Sequence, residues 1–228
     1  MKALAIDSAA SCMIVSAKND EISFTVSIDL GMKQSQKILP AIDYVLKEVN
    51  LSIADLDYLT LCSGPGTFTG LRLAFSALKA IELSANIPLY GIPSLDVYAY
   101  PYSLLQGIVV SVIDAKKNQF FASIFKNGKN IKEAEDTTAE NVIHFLETMN
   151  LSKEIPIYIV GPDAEIFATE LKNTNQNLNI VFLKSQPSPE KALFELTEKM
   201  IENNAPSLND YDGPIYLRKS EAELALKN

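Results

Sequence analysis

Histidine is almost absent from this 228-residue sequence, which holds only His144, and cysteine occurs twice, as Cys12 and Cys62. One histidine excludes a two-histidine metal site, and a Ser-His-Asp hydrolase would have to recruit His144 as its base. Neither C-x-x-C nor metal-ligand spacing relates the two cysteines, so both are expected to be buried free thiols in strands. Basic residues are in deficit, 20 Lys and Arg against 28 Asp and Glu, for a net charge of −8. Without a basic stripe, tight binding to nucleic acid or anionic lipid by the chain alone is not expected. No apolar run approaches the roughly 18 residues of a membrane span. The chain opens on Lys2-Ala3-Leu4-Ala5-Ile6, with no signal-peptide pattern. These absences together predict a cytoplasmic protein.

What is present is a sizeable core. With 47% hydrophobic residues, the chain can bury one large core or two small ones. Its most conspicuous stretch is Leu61 to Leu73, LCSGPGTFTGLRL. An apolar run, 57–62, reads as a buried strand. Gly64-Pro65-Gly66 breaks it, and Thr67 or Thr69 can cap the alanine-rich helix that follows to about Ala85. Strand, glycine turn and helix N-terminus together often make an anion site. The specific phosphate motifs fail, however: Gly70-Leu71-Arg72 stands where a P-loop needs Gly-Lys-Ser/Thr, and the third glycine comes one residue late for G-x-G-x-x-G. A structural tight turn and an anion-binding loop both fit.

The order of elements is informative. Strands are expected at 4–7, 12–17 and 22–28, with an Asn19-Asp20 turn between the last two. A helix follows at 35–49, its apolar face formed by Ile38, Leu39, Ile42, Val45, Leu46 and Val49. Strand 57–62, the helix to Ala85, strand 88–92 and a helix at 94–105 complete the first half. The second half opens alike: strand 108–114 ends in Ile113-Asp114 as the first ends in Ile6-Asp7. Strands 119–125 and 131–135 flank an Asn127-Gly128 turn. Helix 138–149, strand 156–160, helix 163–171, strand 179–183 and helix 189–203 come next, then an extended tail at 211–218 and a polar end. This is an internal repeat of a β-Asp-β-β unit. It predicts two α/β lobes with mixed sheets, 1–103 and 104–228, with Asp7 and Asp114 at equivalent strand ends facing a cleft.

Four blocks carry a resemblance: Leu4-Ala5-Ile6-Asp7-Ser8-Ala9, Gln36-Lys37-Ile38-Leu39-Pro40, Gly64-Pro65-Gly66-Thr67-Phe68-Thr69-Gly70-Leu71-Arg72 and Pro214-Ile215-Tyr216-Leu217-Arg218. The sequence resembles the TsaB (YeaZ) family, glycoprotease-like relatives of TsaD within the actin-like, hexokinase-like (ribonuclease H-like) ATPase superfamily. The glycine block is the most specific. The resemblance implies a duplicated α/β fold and a role in threonylcarbamoylation of the adenosine beside the anticodon of tRNAs reading codons that begin with A. It implies a TsaD-like catalytic partner, a TsaE-like ATPase, tRNA met only through the complex, a homodimer when alone and no membrane. ATP or ADP with Mg²⁺ is implied only at the joint with the partner.

TsaD-type enzymes bind metal through an H-x-x-x-H helix whose positions correspond here to Ser94 and Tyr98. The loop after the second-half strand, Asp114-Ala115-Lys116-Lys117-Asn118, lacks the glycine that lets backbone approach a phosphate, as does Ser8-Ala9-Ala10. The expectation is therefore a non-catalytic subunit, with no catalytic or metal-binding residues. Candidate nucleotide-binding positions are Asp7, Gly64, Gly66, Thr67, Gly70 and Asp114; the two acids either hold hydrated Mg²⁺ or bond nearby amides. Arg72 is either a phosphate or partner ligand or a surface ion pair. Helix 69–85 is apolar or small all round, so a second covering surface is expected. Either the helix is crowded by its own lobe, or it pairs with helix 35–49 as a subunit interface. On the second reading Ser35, Ile38, Leu39, Ile42, Val45, Leu46, Leu71, Arg72, Phe75, Leu78 and Lys79 bind the partner, and Ile42→Glu or Leu78→Glu leaves the monomer folded. Gln34 stands where many members carry histidine. The alternatives are a stand-alone nucleotide-dependent enzyme, such as a small-metabolite kinase, and a peptidase.

Overall fold

The computed structural model describes residues 1–29, 31–174, 178–183 and 185–218; the polar end lies outside this range. Three antiparallel strands open the chain, Lys2–Asp7 (β1), Met13–Asn19 (β2) and Ile22–Ile28 (β3). A 3₁₀ segment, Gly31–Gln36, leads into helix Ile38–Glu48 (α1). Strand Tyr58–Gly64 (β4) pairs parallel with β1, helix Phe68–Ala85 (α2) follows, and strand Leu89–Pro93 (β5) pairs parallel with β4. The sheet order is β3-β2-β1-β4-β5.

Helix Ser94–Ala99 (α3) is shorter than the expected 94–105: a 3₁₀ turn, Tyr100–Tyr102, replaces its second half. Pro101 explains this, because it has no amide to continue the helical ladder. The second half runs through Ile108–Lys116 (β6), Gln119–Lys126 (β7), Lys129–Thr137 (β8), helix Ala139–Thr148 (α4), Ile157–Val160 (β9), helix Ala164–Thr174 (α5) and Ile180–Phe182 (β10). Its sheet order, read from the other edge, is β8-β7-β6-β9-β10. Each strand is the counterpart of one five places earlier, so the repeat is one of topology. Helix Glu190–Glu202 (α6) comes last.

The chain forms two compact units, Met1–Val97 with Ser188–Ile215, and Tyr98–Pro187 with the described tail residues 216–218. The observed division therefore differs from a single cut between 103 and 104: α6 returns to the first unit. Strand alternation explains why it is needed there. In β1 and β4, Leu4, Ile6, Leu59 and Leu61 join the core under α1 and α2. The intervening Tyr58 and Thr60 face α6, where the Thr60 and Thr197 hydroxyls are 2.7 Å apart and Tyr58 Oη donates to Glu198 at 3.0 Å. In the second unit, Ile108, Val110 and Val112 of β6 pack beneath α4 and α5. Val109 instead meets Ala99, Tyr102, Phe125 and Val160 on the opposite face.

Turn chemistry matches the sequence at Asn127-Gly128, where both residues have positive φ, 53° and 71°, and join Lys126 to Lys129. The first hairpin turns one residue later than expected: Asn19 pairs with Ile22, leaving Asp20 and Glu21 as the turn, with Asp20 at φ 53°. Cys12 precedes β2 rather than lying in it, and Cys62 is buried in β4; both are free. Among the described residues, no helix is long and apolar enough to cross a membrane.

Candidate functional site

The glycine turn packs against its own unit through backbone. Each of Gly66 and Gly70 has room for a hydrogen only, because a Cβ would fall on backbone atoms of Ala9 and on the carbonyl of Ser8. Gly64 combines a φ of +115° with a contact against the Ile215 carbonyl. Several polar groups around the turn are paired within the unit. Gly64 N donates to Ser94 Oγ at 3.1 Å, Thr67 N to Ala9 O at 2.8 Å, and Ile215 N to Ser63 O at 2.7 Å. Thr67 occupies the N-cap position of α2, yet its hydroxyl makes no cap bond; it donates to Ser8 O at 3.3 Å. Ser8 Oγ donates to Gly70 O at 2.7 Å. The glycines let β1's loop and the C-terminal tail lie directly on α2's start.

Asp7 is buried, 3% exposed, and its Oδ1 accepts from Ala9 N at 2.9 Å. Cys62 lies beside it. Burial, the charge of Asp7 and a hydrogen bond with that carboxylate push the Cys62 thiol well above its ordinary range, so the sulfur stays protonated. Ser94 is fully buried and serves the glycine turn; Tyr98, the other position matched to a metal ligand, belongs to the second unit.

In the second unit Asp114 is engaged on three atoms. Its N donates to Asp163 Oδ2 at 2.8 Å, its Oδ1 accepts from Lys116 N at 2.7 Å, and its Oδ2 pairs with Lys116 Nζ at 2.6 Å. Burial, with the Asp114 charge adding to it, raises the pKa of Asp163 above the usual carboxylate value. The sign of the linkage is definite. As pH rises from about 4, the unfolded chain loses this proton first, so Asp163 lowers stability progressively through its raised pKa. An amide can still accept from Asp114 N. Asp163→Asn is therefore expected to raise the urea midpoint relative to wild type by an amount that grows from pH 4 to pH 7. A constant difference would refute this.

The eleven expected partner residues divide by burial. Ile38, Ile42, Val45, Leu46, Leu71, Phe75 and Leu78 are all core residues of the first unit. This corrects their assignment to a partner surface: the apolar stripes of α1 and α2 are taken by the chain's own sheet. Ser35, Leu39 and Arg72 are exposed. Lys79 is mostly buried, bound to Glu82 at 2.7 Å and to Asn209 O of the tail at 2.7 Å. Arg72 lies over the Phe68 ring at 5.5 Å. The outward stripe of α2, absent from the expected set except for Arg72, is Thr69, Arg72, Ser76, Ala80 and Leu83, all exposed. On α1, Leu39 and Tyr44 are 63% and 49% exposed.

His144 is exposed on α4. Among the described residues, no group of three or more His, Cys, Asp or Glu could hold a metal ion. Gln34 reaches Ser11 O at 2.5 Å and Ile28 O at 3.4 Å, tying the 3₁₀ segment to the β1–β2 loop and the end of β3. Ser94, Asp163 and Ile215 supply contacts that sequence spacing could not reveal; only Ile215, within the C-terminal motif, carried a signal.

The family model described as "TsaD: tRNA N6-adenosine threonylcarbamoyltransferase" matches residues 31–225. The chain belongs to this family, on its TsaB (YeaZ) branch. It is 24% identical over 198 residues to the tRNA threonylcarbamoyladenosine biosynthesis protein TsaB of Bacillus subtilis, covering 85% of this chain and 83% of that one. The TsaB proteins of Buchnera aphidicola (subsp. Acyrthosiphon pisum) and Escherichia coli are 28% and 29% identical. Those two matches cover 79% of this chain and 82% of the Buchnera protein, and 61% of this chain and 62% of the Escherichia protein. Among solved structures, YeaZ from Pseudomonas aeruginosa superposes with a TM-score of 0.74 at 16% identity, covering 95% of this chain and 99% of that one. An actin-like ATPase-fold protein from Bacteroides thetaiotaomicron reaches 0.50 at 12% identity, covering 85% and 95%. The fold of this TsaB-family chain is accordingly the duplicated actin-like α/β fold.

Proposed function

We propose that this chain is a non-catalytic subunit in the biosynthesis of threonylcarbamoyladenosine in tRNA, binding and activating a TsaD-type transferase. The observation that carries the reading is family membership combined with a single histidine in the whole sequence, which leaves no H-x-x-x-H metal helix. The bonds of the Asp114 carboxylate within its own hairpin support it. They also weigh against a stand-alone kinase, whose Mg²⁺-binding acid must be available to ligand. Any ATP or ADP with Mg²⁺ then belongs to the joint with the transferase. A TsaE-type ATPase completes the complex, and tRNA is met through it, in keeping with the chain's net charge of −8.

The partner surface is the outward side of α1 and α2. Ser76 and Ala80 are small and exposed, flanked by exposed Leu83 on the same stripe. Small residues let a second helix approach closely, and flanking apolar side chains supply the buried area. In isolation the same stripe covers itself in an isologous homodimer. Activation is conformational: binding shifts the transferase toward its competent state.

Reconstitution with a TsaD-type transferase and a TsaE-type ATPase tests this. Ser76→Arg and Leu83→Glu alter exposed positions, so both proteins are expected to fold normally while losing co-elution and at least about tenfold of the tRNA modification rate. Wild-type co-elution by both variants would displace the interface from α2. Full modification without this chain would overturn the proposed role.

A further inference from the structure

The C-terminal tail holds a second fastening, inside the second unit. Arg218 grips Asp136 of β8 through two parallel bonds, Nε to Oδ2 at 2.6 Å and Nη2 to Oδ1 at 2.7 Å, while Nη1 donates to the Ala115 carbonyl at 2.9 Å. Both side chains are partly buried, 28% and 22% exposed, so the pair is shielded from solvent more than a surface ion pair. One guanidinium thus joins a fixed carboxylate to the start of the β6–β7 turn.

That turn has an unusual backbone. Lys116, Lys117 and Asn118 lie consecutively in left-handed conformation, with φ of 64°, 60° and 58°. Residues with a Cβ disfavour this region, and asparagine and aspartate tolerate it best. The ladder also shifts register between Asp114 and Lys116, which leaves Ala115 out of the pairing. Two consecutive lysines in such a conformation persist only where surrounding groups over-determine it. Asp114 restrains Lys116 from within the turn. Arg218 restrains Ala115 from outside it. The other left-handed hairpin of this unit, Asn127-Gly128, is built from residues suited to positive φ.

We infer that Arg218 is a positioning residue for the β6–β7 turn: the tail clasps Asp136 and, through it, fixes Ala115 and the left-handed residues that follow. The turn's order then depends on the C-terminal motif as well as on Asp114 within the hairpin. This does not depend on the proposed role in tRNA modification. Lysine cannot substitute, because one ammonium cannot span both Asp136 oxygens and the Ala115 carbonyl in a fixed plane.

The test is amide hydrogen exchange on the full chain. Arg218→Gln and Asp136→Asn are each expected to speed exchange at 115–119 by on the order of tenfold, leaving the amides of 108–114, 120–126 and α4 unchanged. The double variant should be no faster than either single, because both remove one clasp. Arg218→Lys should fall between glutamine and wild type. Unchanged exchange at 115–119 in Arg218→Gln would overturn the inference. So would acceleration spread evenly over the unit, additive effects in the double variant, or full rescue by lysine. Should Arg218→Gln not fold, Asp136→Asn and Arg218→Lys carry the same comparison.

Discussion

Leu78→Glu is expected to unfold the first unit, whereas Leu83→Glu, five residues further along the same helix, leaves it intact. Leu78 is fully buried between α2 and the sheet, while Leu83 is 71% exposed. Truncating a core leucine to alanine already costs about 2–5 kcal/mol through lost transfer energy and the cavity left behind. A carboxylate in that place adds a desolvation penalty with no cationic partner, taking the total beyond about 5 kcal/mol. Against a typical domain stability of about 5–15 kcal/mol, most of the folding free energy is gone. The check is a pair of urea titrations by circular dichroism. Loss of the native baseline is expected for Leu78→Glu, and a cooperative transition from a native baseline for Leu83→Glu. A cooperative, near-native transition in the first variant would mean that α2 turns this face outward. Ile42→Glu should behave as Leu78→Glu does, since Ile42 is only 4% exposed in the same core. Loss of partner binding in either buried variant would therefore report unfolding and not a lost contact.

The second large effect belongs to Gly64→Ala. A methyl group at Gly64 meets the Ile215 carbonyl, and the φ of +115° is one that only glycine adopts readily. The chain must move either the tail or the turn. Moving the turn breaks the bond from Gly64 N to Ser94 Oγ, and moving the tail breaks that from Ile215 N to Ser63 O. Backbone strain of about 1–3 kcal/mol and one lost buried hydrogen bond worth about 1–3 kcal/mol give an expected loss of about 2–6 kcal/mol. Gly213→Ala is the control, because a Cβ at Gly213 has no atom within 4 Å and no positive φ is involved. Thermal unfolding should separate the two by several degrees, and protease should cut the tail of Gly64→Ala faster than that of Gly213→Ala. Equal melting temperatures would show that the tail does not rest on the glycine turn.

The sequence made several features legible because their causes are local. The short apolar runs of β1–β3 and the period-3.6 stripe of α1 follow from what each segment must bury, so the elements stand close to where patterning puts them. Asn127-Gly128 announces its hairpin because positive φ suits those residues. The repeated Ile-Asp strand end foretold the duplication, which the two sheets reproduce strand for strand. Less legible were features whose cause lies elsewhere in the chain. The apolar stripes of α1 and α2 look the same in sequence whether a sheet or a partner covers them. Only the fold assigns Leu78 to the chain's own core. Around Lys116 and Lys117 only Asn118 suits a left-handed turn, and the contact from Arg218 to Ala115 comes from the far end of the described chain.

By itself, then, the sequence determined the element order, the doubled α/β architecture, the TsaB-type motifs and the lack of a histidine pair, since composition and short-range pattern fix each of these. The tertiary structure alone decided which face of each helix is spent on the core. It also decided that the glycine turn serves backbone packing against Ser8, Ala9 and Ile215, and that α6 belongs with the first unit. Burial and hydrogen-bond saturation depend on groups far apart in the chain, and no local pattern records which distant partner a side chain or an amide will meet.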